Sequence, residues 1–192
     1  MSLFKQHREQ VKKTIEEVCL RLFREKGYEN VTVDEITKEV GIAKGTFYNF
    51  YSSKLDILML WAENQFKSFD ISKAVVPGAT IKENLTALIR LLVAAIKQEE
   101  KMFRTFIFKL SRNYGNNPDN KFDFVKLFSL AMQVSIDYGK AGAELYEAKL
   151  HVLNSSLFLG IVGWFNSGKN AQQLEEYLLN LLTVCLYGII EK

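Results

Sequence analysis

The chain of 192 residues is poor in the residues that punctuate or cross-link folds: two prolines, two cysteines, two histidines and eleven glycines. Collagen-like, disordered and disulfide-stapled classes are excluded by that composition together with 48% hydrophobic residues. Cys19 and Cys185 each sit in an apolar helical pattern, where a thiol acts as a small hydrophobe. With only His7 and His151, no H-E-x-x-H, no Cys-His metal spacing and no glycine-rich phosphate loop, the chain offers no catalytic or metal constellation, so neither an enzyme nor a bound cofactor or metal is expected. Long apolar runs are missing too. The longest, Leu178 to Ile190, is interrupted by Asn180 and Thr183 and falls short of the roughly 20 residues a bilayer crossing needs. The N-terminus, M-S-L-F-K-Q-H-R-E-Q, lacks a secretory apolar stretch, which places the expected location in the cytoplasm, with no membrane partner.

Charge of one sign is also scarce. The net charge is +3, and residues 1–55 carry ten Lys and Arg against eight Asp and Glu, so no basic domain stands out. A modest cationic arm exists at the start, where Lys5, Arg8, Lys12 and Lys13 face only Glu9.

What is present is helical periodicity. Ile15, Val18, Cys19, Leu22 and Phe23 form one stripe, closed by Arg24, Lys26 and Gly27. In V-T-V-D-E-I, Thr32 can cap a helix, Glu35 can reach back to it, and Val31 can pack on Ile36. That helix is about two turns long, ending at Gly41. A third begins at K-G-T-F-Y, and a fourth follows a cap at Ser52 or Ser53 with Asp56. Pro77 and Gly78 mark the first real break. Beyond it, apolar stripes predict helices through Ile81 to Ile96, Met102 to Leu110, Phe122 to Val134, Ala143 to Phe165, and from about Asn170 onward. No segment alternates at period two. The expected fold is all-α, with about nine helices.

Residues 28–54 carry the functional signal. A two-turn helix, a glycine bend and a short helix make a helix-turn-helix layout, in which the second helix enters the DNA major groove. Gly41 permits the bend and Ile42 plugs it from beneath. Lys44, Gly45 and Thr46 supply a cation, a bare approach surface and a hydroxyl suited to base edges. Phe47 belongs inward, Tyr48 and Asn49 outward toward phosphate or base, and Lys54 beside the backbone. Thr32 can serve as cap and as part of a phosphate site.

The stretch G-Y-E-N-V-T-V-D-E-I-T-K-E-V-G-I-A-K-G-T-F-Y-N-F-Y-S-S-K resembles the DNA-binding domain of TetR-family transcriptional regulators. The resemblance covers residues 8 to about 62. It implies a ligand-responsive regulator, a repressor, that binds a pseudopalindromic double-stranded DNA operator as a homodimer and is released by a small, partly apolar effector; a regulator without small-molecule control is the alternative. The implied division is a three-helix DNA-binding domain at 1–54 and a helical ligand-binding and dimerisation domain at 55–192. Carried over, the DNA-facing set is Thr32, Ala43, Lys44, Gly45, Thr46, Tyr48, Asn49 and Lys54. Ala43 stands where the family often has a Ser or Thr, and Phe50-Tyr51 where it commonly has His-Phe or Tyr-Phe. In the C-terminal part, Phe66, Phe69, Phe103, Phe106, Phe128, His151 and Trp164 are candidates for an apolar ligand pocket, with a packed aromatic core as the equal alternative. The last two helices are apolar on more than one face, which points to a dimer interface of Leu159, Gly160, Gly163, Leu178, Leu182 and Cys185, the two glycines admitting a partner helix.

Overall fold

The computed structural model describes residues 3–70, 74–113 and 143–188. Among these, every regular element is helical: α1 (Leu3–Lys26), α2 (Val33–Val40), α3 (Lys44–Tyr48), α4 (Lys54–Lys67), α5 (Ile81–Gln98), α6 (Glu100–Asn113), α7 (Ala143–Asn166) and α8 (Leu174–Tyr187), with single 3-10 turns at Tyr28–Asn30 and Ala171–Gln173. The expected helix through Phe122, Val125, Phe128, Met132 and Val134 lies outside the described residues. None of the described helices is long and apolar enough to cross a membrane.

The chain divides into two compact units. The first comprises Met1–Asn64 with Lys101–Phe106. Its core is the apolar stripe of α1, with Ile15 and Cys19 fully buried, together with Ile36 of α2, Phe47 of α3, and Ile57, Leu58 and Trp61 of α4. The Trp61 ring meets Phe103 nearly edge-on at 4.9 Å. Burial pushes the Cys19 thiol up to about 12, against a weaker opposing pull from Lys54. The thiolate is the reactive form of cysteine, so Cys19 is an inert packing group.

Local signals explain the boundaries. Thr32 caps α2 by accepting from the Glu35 amide at 3.1 Å, and Val31 and Ile36 flanking it are both buried. The Glu35 carboxylate pairs with Lys26 of α1 and draws a weaker contribution from the Thr32 backbone N–H. That ion pair holds the Glu35 carboxyl below the usual carboxylate range. A full box forms elsewhere, at Thr80 and Glu83, where each side chain bonds the other's backbone and starts α5. Gly41 ends α2 with φ 78°, the left-handed region that side chains avoid; its N–H and that of Ile42 both donate to the Thr37 carbonyl at 3.0 Å. Asp56 accepts from the amides of Ser52 and Ser53 at 2.7 and 3.2 Å, as the expected cap before α4 requires.

The second unit comprises Gln65–Glu100 with Ile107–Lys192. Here α8 packs on α7 and α5. Leu85, Leu88, Leu92 and Ile96 of α5 give the buried stripe the periodicity predicts, and Leu174, Leu178 and Leu182 of α8 and Leu157, Ile161 and Phe165 of α7 are buried as well. Arg90 of α5 pairs with Glu175 of α8 at 3.1 Å on its surface. Glu100 accepts from the Ala171 amide at 3.1 Å, tying α6 to the turn before α8.

Candidate nucleic-acid interface

The candidate site is built on three anchors. Phe47, with no exposed surface, pins α3 to the core and stacks within 6.0 Å of Tyr51. Tyr51 in turn donates its hydroxyl to Glu16 of α1, and burial with that carboxylate pushes the phenol well above its ordinary range. Gly41 sets the angle between α2 and α3. The helix itself has only five residues, and its cap residue Ala43 makes no side-chain bond. Its shape is therefore held from below, by Phe47 and Tyr51.

That anchoring leaves the other face outward. Lys44, Gly45, Tyr48 and Asn49 are exposed, Tyr48 by half, and Thr46 is half-buried. Space beside Gly45 is open, so a flat partner can approach the backbone there. Ala43 and Thr32 are exposed as well, Thr32 with its oxygen engaged as a cap and its hydroxyl proton still available. These groups offer donors, a cation and a thymine-sized apolar contact to an incoming duplex.

Lys54 departs from the expectation that it lies beside the DNA backbone. Its ammonium turns inward and donates to the carbonyls of Tyr28 at 2.6 Å and Val31 at 2.7 Å, lying 4.3 Å above the Tyr28 ring. A half-buried cation satisfying two carbonyls of the turn before α2 is a structural clamp. The Tyr28 phenol is itself pushed up to about 12, chiefly by burial.

Two features of this face were not read from the sequence. Lys44 forms an ion pair with Asp34 of α2 at 2.7 Å, which raises the lysine above its ordinary range. Arg8 of the cationic arm stands 5.5 Å over the ring of Phe50, just after α3. Neither contact has a local spacing signal, since both join residues brought together only by the fold.

The remaining candidates scatter. Phe66 and Phe69 meet each other at 5.3 Å in the second unit. Phe103 and Phe106 are buried in the segment belonging to the first unit. Phe128 lies outside the described residues, and His151 is exposed. Trp164 packs on Tyr177 at 4.9 Å and donates its indole N–H to the Asn170 carbonyl at 2.7 Å, as a packing residue at the join of α7 and α8 does. In the expected interface set, Leu178 and Leu182 are core residues with at most 1% exposure, so they cannot face a partner. Gly160 serves α8 of the same chain: an added Cβ would fall 2.6 Å from a Leu181 methyl. Leu159 is 62% exposed, Gly163 is open, and Cys185 is half-buried. Val152, Val184 and Tyr187 are further exposed apolar groups on α7 and α8. Among the described residues, no group of three or more His, Cys, Asp or Glu could hold a metal.

Residues 16–59 match the family of bacterial regulatory proteins designated tetR, through its N-terminal domain TetR_N. The chain is similar to the uncharacterized HTH-type transcriptional regulator YerO of Bacillus subtilis, 25% identical over 202 residues that span 93% of this chain and 65% of that protein. An HTH-type transcriptional regulator of Staphylococcus aureus is 36% identical over 55 residues, 29% of this chain and 30% of that protein. The matched stretches thus span less than two thirds of these relatives. In fold, the chain is similar to Thermus thermophilus FadR, a TetR family transcriptional repressor in complex with lauroyl-CoA, with a TM-score of 0.74, 20% identity, and coverage of 94% of this chain and 96% of that one. FadR of Bacillus subtilis in complex with stearoyl-CoA gives 0.63 at 18% identity, covering 93% and 99%. The capped α2, the left-handed bend at Gly41 and the pinned, outward-facing α3 thus lie within the stretch that matches the N-terminal domain of the tetR family of bacterial regulatory proteins.

Proposed function

We propose that the protein is a homodimeric repressor that reads a pseudopalindromic operator with residues 1–54 and uses residues 55–192 to dimerise and bind a small effector. The observation that carries this reading is the division of α3 into a fully buried Phe47 and an exposed row of Lys44, Gly45, Tyr48 and Asn49. A short helix fixed from one side and bare on the other suits insertion into a major groove. Lys44, Gly45 and Thr46 would face bases; Thr32, Tyr48 and Asn49 would hold phosphates, and Lys54 would act indirectly by holding the turn in front of α2.

The dimer surface would be the apolar face that α7 and α8 leave uncovered: Val152, Leu159 and Gly163 on α7, Val184 and Tyr187 on α8. Val152, Leu159 and Gly163 recur at helical spacing, so they form one stripe. Replacing Leu159 with Glu should give a folded monomer by light scattering, because this side chain is already in water and only a partner makes its charge costly. A dimer of unchanged mass would remove the assigned face.

For the effector, the acyl-CoA complexes of the two FadR proteins make long-chain acyl-CoA thioesters the first class to test. Binding would favour a dimer whose reading helices leave the roughly 34 to 36 Å spacing of successive major-groove faces, and DNA affinity would fall. Selecting bound fragments from a random duplex pool tests the core of the proposal. An enriched inverted repeat is expected, with enrichment reduced by Lys44→Ala and Tyr48→Phe. Recovery of no preferred sequence by the wild-type protein would count against DNA reading altogether.

A further inference from the structure

A surface meant for DNA should repel anions nowhere near its reading helix, yet Asp34 stands there. It is the second residue of α2, and its Oδ1 lies 2.7 Å from the Nζ of Lys44, the first residue of α3. The other two acids of α2 face the opposite way, Glu35 toward Lys26 and Glu39 toward Arg21, both on α1. Asp34 is thus the α2 carboxylate committed to the reading helix. The side chains are 71% and 54% exposed, and so open an ion pair contributes little to folding. Nor does α3 supply an anion of its own, having no acidic residue in its first turn and no side-chain cap at Ala43.

We infer that Asp34 is a specificity-determining residue: it holds the Lys44 ammonium and withholds it from phosphate on DNA of the wrong sequence. The inference rests on the DNA-binding reading of this same face. Sequence-independent complexes are held by phosphate contacts, and a lysine is a point charge on a flexible stem that would find a phosphate on any duplex. Paired with Asp34, the ammonium leaves its partner only where the site offers a better one, such as the O6 and N7 acceptors of a guanine edge. Discrimination is a difference between two affinities, and a feature that weakens the wrong complex more than the right one increases it.

Asp34→Asn keeps the shape and removes the charge. Binding would be measured by fluorescence anisotropy across a salt series, on the duplex that the wild-type protein enriches most from a random pool and on a scrambled duplex of equal composition. The variant is expected to bind the scrambled duplex on the order of tenfold more tightly and the enriched one only about two- to threefold, with the scrambled-duplex salt slope steeper by about one. In a Lys44→Ala background the Asn substitution should change neither affinity. Equal strengthening on both duplexes, or an effect that survives Lys44→Ala, would overturn the inference. If the wild-type protein discriminates and Asp34→Asn discriminates equally well, the inference fails alone. A wild-type protein without any preferred duplex would defeat the DNA-binding reading first, and this inference with it.

Discussion

Replacing Phe47 with Ala is expected to cost about 3–5 kcal/mol of stability, the range for emptying a well-packed aromatic site, and to abolish DNA binding at the same time. Phe47 has no exposed surface, and its ring contacts the rings of both Tyr48 and Tyr51 at 5.6 and 6.0 Å. Its removal takes away the buried side chain by which α3 is attached, and a five-residue helix has no means of keeping its place without one. Chemical denaturation followed by circular dichroism measures the first effect, and anisotropy on the enriched duplex the second. A variant that loses less than about 1 kcal/mol, well under the usual cost of such a truncation, would show that the anchor lies elsewhere. Tyr48→Phe offers the contrast: exposed by half, it should leave stability unchanged while weakening DNA binding through the lost hydroxyl.

Lys54→Met should cost on the order of 2–3 kcal/mol, since hydrogen bonds to a charged group are each stronger than neutral ones and the acceptors would be left without it. The methionine preserves the apolar stem over the Tyr28 ring and deletes only the ammonium that serves the Tyr28 and Val31 carbonyls. This variant separates two roles for the same residue. If Lys54 clamps the turn, thermal stability falls and the salt dependence of DNA binding in the surviving folded fraction keeps its slope. A phosphate contact gives the reverse: full stability with a slope shallower by about one.

How much of this was legible in the chain depends on how local the signal is. The cap at Thr32, the bend at Gly41, the inward Phe47 and the serine start of α4 are fixed by neighbours within a few residues, and the structure places each as expected. The sequence alone puts Lys54 beside the DNA backbone, because nothing in its own segment reveals that the carbonyls of Tyr28 and Val31 lie within its reach. Asp34 and Lys44 are ten positions apart and meet only because the bend folds α3 back onto α2. The helix α8 posed a different difficulty. It is apolar around much of its surface, so periodicity could not say which leucines face the core; Leu178 and Leu182 do, while Val184 and Tyr187 face outward. For the same reason the two glycines of α7 looked equivalent. Only the crossing with α8 assigns Gly160 to the interior contact and leaves Gly163 open.

The brevity of α3 carries a consequence for how such a protein changes its target. Five residues form little more than one turn, and with a glycine among them they would not hold a helix in isolation. The coil is imposed by its surroundings, so the outward residues are relieved of any duty to propagate it. On the proposed function, exchanges at Lys44 and Thr46 would then alter base preference while the scaffold beneath stays the same.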